Sequence, residues 1–425
     1  MNLLSTNAEL QKGLWLELSP LRLALVPAIT FIVGLMVFGL EGDKIVSITA
    51  FGYVIFGALV GVYSIGRHVG DEARSGTWEL QRMYPVSAWH MVWGKLLGLG
   101  SYAWYGATVV LVMGVVLALL RHATSTPIML IWFLGLTGTI LLSHALSLLM
   151  TMMDGDSRNN RNTSMLMVAL LFPVVVWPLD ATSLSDLLGH WWGLRMSPLL
   201  ITLLIYVWFG WALIGCVTTM DRHMGSERGP WVWLAFTTFL VLFAAGFGVS
   251  PLRCIQFGFM TLLAVSYAGL ISHTVKTMQI RRLHHLFVAG DLVQVATEMP
   301  RWMYGMAALV LLGPFIALTQ WVPSDYRVMA AIYPLALVRD ACIFSTMGLQ
   351  RKRLPSVGLV STYVLLVYLV LPLLLIGTGA ELIAHVFIPG KMPLWGWLFI
   401  ALEAALAMTY WLYTCRRQLR SQVRP

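Results

Sequence analysis

The chain has 425 residues, of which 58% are hydrophobic and 11% charged, with a mean hydropathy of +0.77; soluble domains carry about 25% charged residues. That composition excludes a soluble enzyme for most of the sequence and places its bulk in a bilayer. The net charge of +9 is spread over the ends of apolar segments, where membrane topology accounts for it better than a nucleic-acid footprint does, so no nucleic-acid partner is expected.

The N-terminus lacks a basic stretch followed by a short apolar core and a cleavage site, so the first membrane helix is expected to stay as an anchor. Before it, residues 6–19 read as a short amphipathic helix. Thr6 and Glu9 have capping-box spacing, and Leu10, Leu14 and Leu18 form a stripe that leaves Glu9, Lys12 and Glu17 largely off it. Such a helix lies in the membrane interface. The other reading, that it simply begins the first span, is opposed by Pro20 at the join.

A bilayer core about 30 Å thick takes about 20 residues of helix. Windows suited to this fall at 23–40, 45–66, 96–120, 123–153, 163–179 and 196–220, and again at 229–252, 254–275, 302–324, 328–350, 354–380 and 392–415. With the N-terminus inside, the external segments hold only Lys44, Arg121, Arg195, Arg253, Arg327 and Lys391, and nearly all other Lys and Arg fall inside. The expectation is an all-α integral membrane protein with about twelve transmembrane helices and both termini cytoplasmic. Two six-span domains, 1–225 and 226–425, follow. Each has its long cytoplasmic connection between its second and third spans, at 67–95 and 276–301, and in the latter Asp291 with Gln294 can cap a short helix that Pro300 ends. This plan suits a parallel six-helix repeat. The two connections share little residue identity, so duplication and coincidence both stay open.

The connection from Asp71 to Lys95 is the most polar island in the first half. Asp71 can cap a short helix, Ser75-Gly76-Thr77 supplies a break, and Leu80, Met83 and Tyr84 give a second short helix an apolar edge. Pro85 ends it, and Ser87 can cap the helix that continues into the third span. The result is a polar helical bracket joined to two membrane helices.

The run EARSGTWELQRMYPVSAWHMVWGKLLG closely resembles the segment after the second span in ABC type-2 exporter permeases, where a Glu, a basic residue, Gly-Thr, a second Glu, Pro-x-Ser and Gly-Lys recur. Here these are Glu72, Arg74, Gly76, Thr77, Glu79, Pro85, Ser87, Gly94 and Lys95. The interfacial helix resembles that family's elbow helix. The resemblance covers residues 1–225 well and the rest weakly, since the family's basic unit has six spans. It implies a permease coupled through 71–95, with Glu72, Glu79 and Arg82 on the contact surface, to a separate cytoplasmic ATPase present in two copies. It further implies a bacterial inner-membrane location and a possible homodimer or second permease. No GxxxxGK[ST] occurs in the chain, so ATP would be bound by the partner and this chain needs no cofactor of its own.

Three charges interrupt the spans: Arg339, its neighbour Asp340, and Glu403. A charge at mid-bilayer costs about 2.5–3.5 kcal/mol on insertion scales, so these should face the bundle interior and pair. Neighbours on a helix do not face each other. Arg339 is therefore expected to pair with Glu403, leaving Asp340 to backbone, water or substrate, either as a packing staple or as the coupling site of an ion-driven carrier. His144 stands alone in a span and reads as a hydrogen-bonded core histidine rather than a proton carrier or metal ligand. Gly57 and Gly61 have GxxxG spacing, and Trp191 and Trp192 fit an external gate or an inert interfacial anchor. The four cysteines, 23 methionines and 18 tryptophans read as packing and interfacial residues, with no metal site expected. No HExxH or GxSxG motif occurs, so an intramembrane enzyme is not expected. The competing classes are an ion-coupled transporter and a non-transporting membrane assembly subunit.

Overall fold

The structure is a computed structural model that describes residues 7–77, 86–121, 126–153, 189–225, 229–248, 250–272, 277–319, 323–350, 362, 366, 370–378 and 394–420. Apart from one hairpin of two-residue strands, β1 (His190–Trp191) and β2 (Leu194–Arg195), its regular elements are helices. Nine helices among the described residues are long and apolar enough to cross a bilayer. The protein is an all-α membrane protein. Two compact units divide the chain, one of Met1–His190 and Leu194–Arg228, the other of Trp191–Gly193 and Gly229–Pro425.

In the first unit, α1 (Ala8–Glu17) is short, and Ser19 then caps α2 (Pro20–Val37), whose Pro20 sits at the first turn, where its missing N–H is harmless, while Pro27 lies inside the helix. Leu21, Leu25, Ile29, Phe31, Ile32, Leu35 and Met36 are exposed on α2, and only Val26 and Gly34 are buried. Such a surface would be a liability in water and is the stable one in lipid. The second span is α3 (Gly42–Val54), a π-helical turn over Ile55–Val60, and α4 (Gly61–Arg74). After the polar connection come α5 (Ala88–Leu99), capped by Ser87, then α6 (Ser101–Leu120), α7 (Thr126–Met153) and α8 (Pro198–His223).

Small residues set how closely these helices approach. A Cβ on Gly106 would fall 1.9 Å from the Phe56 ring, and one on Gly114 would fall 2.0 Å from Thr49 Oγ1. Gly57 and Gly61 both face α7, where Ile140 and His144 fill the space that their missing side chains leave. Ile65, Val69, Met91, Leu96, Leu148 and Met220 build the apolar core beside them.

The second unit contains α9 (Trp231–Ala245), α10 (Pro251–Ser272), α11 (Thr277–Val288), α12 (Leu292–Glu298), α13 (Arg301–Leu318), α14 (Ser324–Gln350), α15 (Leu371–Gly377) and α16 (Leu394–Arg420). Leu262, Leu270, Trp302, Leu309, Leu337 and Phe344 form the core of α10, α13 and α14, and Ile332 meets Ile400 where α16 packs on α14. Asp291 caps α12 by accepting from Gln294 N at 3.0 Å, and Arg282 pairs with Glu298 at 2.7 Å to close α11 onto α12. Trp191 Nε1 donates to Phe243 O at 2.9 Å, whereas Trp192 is 51% exposed.

Several local expectations are corrected. Asp71 starts no new helix: α4 runs unbroken through it to Arg74, because its buried face of Ile65 and Val69 continues to Glu72, whose charge is met by Lys12 and Lys95. Gly100 separates α5 from the third span, so one helix does not run through both. The cap of α1 is Asn7, and Thr6 lies outside the described residues. The window at 229–252 contains a helix of 15 residues, short for a crossing at about 1.5 Å per residue. The windows at 163–179 and, in most part, 354–380 lie outside the described residues, as do Glu79, Arg82, Pro85 and the apolar edge of Leu80, Met83 and Tyr84.

In the second unit Gly313 lies against the backbone of a neighbouring helix. A Cβ on Gly313 would lie 2.4 Å from Ala330 O, which cannot rotate away, whereas one on Gly39 meets nothing within 4 Å. Gly313→Ala is expected to destabilise the protein by about 1–3 kcal/mol and Gly39→Ala to leave it unchanged, read as melting temperatures in detergent.

Candidate functional site

The polar bracket is assembled from α1, the end of α4 and the start of α5. Asn7 Oδ1 accepts from Glu9 N and Leu10 N at 3.1 and 3.2 Å, satisfying two of the open donors at the start of α1. Its Nδ2 donates to His90 O at 2.7 Å, so the same side chain joins α1 to α5. The two helices then pack backbone to backbone: a Cβ on Gly13 would fall 2.5 Å from the Gly98 carbonyl carbon, and one on Gly94 would fall 2.8 Å from Asn7 Oδ1.

At the centre lies Lys95, whose side chain is 0% exposed. Its ammonium donates to Glu72 Oε2 and, at 3.3 Å, to Glu9 Oε2. Lys12 Nζ reaches the other oxygen of Glu72 at 2.5 Å. Two carboxylates and two ammonium groups therefore balance in one cluster that spans three helices. Paired charges of this kind tolerate burial, whereas a single one left behind does not.

A second tie lies one turn further along α1. Glu17, 3% exposed, holds Arg22 at 2.9 Å through Oε2, while its Oε1 is 2.5 Å from Ser64 Oγ and 3.2 Å from His68 Nδ1. Ser64 Oγ is also within 2.8 Å of Leu99 O. The inward face of α1 is thus Asn7, Leu10, Gly13 and Glu17, and Trp15, 90% exposed, points away from it. This corrects the leucine stripe: Glu17 is on the buried face because α4 supplies donors for it.

Glu72 is 9% exposed, with both oxygens taken by lysines, and it fastens α1, α4 and α5 together. The exposed edge is made by Arg74, whose guanidinium meets Asp71 at 2.6 Å, with Ser75 and Gly76. Gly76 has φ +70°, a conformation that favours glycine. Thr77 Oγ1 donates to Glu72 O at 3.0 Å and closes the end of α4. The contribution of Lys95 has a sequence signal, because it occupies the apolar stripe of Ala88, Met91, Val92, Leu96 and Leu99. Asn7 and Glu17 have no such signal.

The spans of the second unit bring together Arg339, Asp340 and Glu403. Arg339 Nη1 donates to Glu403 Oε2 at 2.6 Å, joining α14 to α16, and its Nε also reaches Asp340 Oδ1 at 3.0 Å. Asp340, 0% exposed, accepts from Tyr267 OH at 2.9 Å through its other oxygen. The expectation that Arg339 leaves Asp340 to other groups is corrected: a long guanidinium can reach back to an adjacent carboxylate. Tyr267 is a member that nothing in the sequence marks. His144 is buried in the first unit and its Nε2 donates to Gly57 O at 2.9 Å. Among the described residues no group of His, Cys, Asp and Glu is arranged to hold a metal ion.

Two predictions follow from these clusters. Lys95→Ala should cost about 3–5 kcal/mol, since it leaves buried carboxylates uncompensated, and adding Glu72→Gln should recover part of that loss in thermal unfolding. Arg339→Ala and Glu403→Ala should be non-additive, the double variant being more stable than the sum of the singles by at least about 0.5 kcal/mol. In comparisons with known proteins, no family model, curated protein or solved structure matches the chain.

Proposed function

We propose that the chain is the membrane-spanning permease subunit of an ATP-driven exporter in a bacterial inner membrane. Its twelve spans have both termini cytoplasmic, and it couples through residues 71–95 to a separate ATPase subunit present in two copies. The observation that carries this reading is the Glu9–Lys12–Glu72–Lys95 cluster, which fastens an interfacial helix to the polar ends of two spans. A force applied at 71–95 would then be carried by α4 and α5 together instead of bending either alone. The resemblance of residues 72–95 to the ABC type-2 coupling segment supports the same role and the export direction.

A second reading, an ion-coupled transporter, draws on one specific observation: Arg339, Asp340 and Glu403 form a polar site within the spans of α14 and α16. Flux that survives ATP depletion but collapses with an uncoupler would favour it.

The tagged full chain, extracted from its native membranes, is expected to co-purify with a soluble ATPase carrying a phosphate-loop motif. Glu79→Lys with Arg82→Glu should lower the recovered ATPase several-fold without changing the melting temperature. No ATPase with the unaltered chain, or equal recovery with the charge-reversed one, overturns the reading.

A further inference from the structure

Three buried polar atoms in the first unit, Ser101 Oγ, Trp104 Nε1 and His144 Nδ1, have no hydrogen-bond partner among the described residues. Their residues are neighbours in the fold. Ser101 and Trp104 are three residues apart, on one face of the first turn of α6. The Trp104 and His144 rings meet edge to face with centroids 5.6 Å apart, and a Cβ on Gly100, next to Ser101, would be 3.2 Å from His144 Nδ1.

Their chemistry is complementary to a single small molecule. His144 Nε2 faces the Gly57 carbonyl at 2.9 Å and must carry the proton that makes this bond. In the uncharged ring Nδ1 is then a lone-pair acceptor, while the indole N–H is a donor only and the hydroxyl is either. An unsatisfied buried polar group costs about 1–3 kcal/mol, and inside a bilayer no bulk solvent is at hand to relieve it. The matching ligand donates to His144 and accepts from Trp104 and Ser101, and a water molecule with about three partners does this.

We propose that Ser101, Trp104 and His144 form an internal water-binding site between the second, third and fourth spans. The site lies where both helices leaving the bracket depart from regular α geometry. Gly57, whose carbonyl His144 holds, belongs to the π-helical turn Ile55–Val60, and Gly100 is the break between α5 and α6. Helices bend at π-helical turns and at Gly-Ser pairs such as Gly100-Ser101. Water-mediated bonds can re-form as the two helix paths change, so the site is the wet pivot about which the bracket moves the spans. The pivot role rests on the permease reading, whereas the hydration does not.

Hydroxyl-radical footprinting by an X-ray pulse, on the full chain in lipid nanodiscs, tests the site, because radicals form at bound water. His144, 1% exposed, is expected to be oxidised several-fold faster, after correction for intrinsic reactivity, than Met91 and Met220, which are 1% and 0% exposed in the neighbouring apolar core. Ser101→Ala with Trp104→Phe should bring His144 down to the rate of those methionines. The proposal is overturned if His144 in the unaltered chain is as slow as they are, as it would be if a lipid or substrate hydroxyl filled the site. It is equally overturned if the folded double variant leaves the rate unchanged. Should that variant not fold, the rates in the unaltered chain decide. Rapid His144 oxidation in a chain that recruits no ATPase would retain the water site and discard the pivot role.

Discussion

The ammonium of Lys95 is shut away from solvent and held between Glu72 and Glu9, and much of the first unit is organised by that arrangement. A buried ammonium demands carboxylates, and the two that satisfy it lie on different helices, so α1, α4 and α5 must meet at one place. Gly13, Gly94 and Gly98 make the meeting possible, since side chains there would push α1 away and leave the charges apart. The ion cluster and the glycine contacts thus depend on each other.

Among the described residues, the charges of the polar segment 71–95 divide into two groups with different physics. Glu72 and Lys95 are buried and hold helices together, while Asp71 and Arg74 pair on the surface, where an ion pair contributes little to stability.

The second unit uses the same logic within its spans. Asp340 is fully buried because Tyr267 and Arg339 each supply it with a donor, and the same guanidinium reaches Glu403 on another helix. Charge in an apolar bundle persists where several helices contribute to its compensation.

The membrane class and the positions of most spanning helices were legible in the sequence, because a bilayer imposes a length and a polarity that can be read residue by residue. So was the pairing of Arg339 with Glu403, which follows from the cost of a lone charge in a span. Ser87 and Asp291 were legible as caps because capping is a local matter of a few residues. Tertiary structure alone decided that Glu17 turns inward, that Asp71 sits inside a helix, that Gly100 breaks another, and that Glu72 is a fastener. The two carboxylates depend on partners far away in the chain: Ser64 for Glu17, Lys12 and Lys95 for Glu72. Local pattern records what a residue prefers, and the packing of distant helices determines whether a charge in that pattern meets water or its counter-charge.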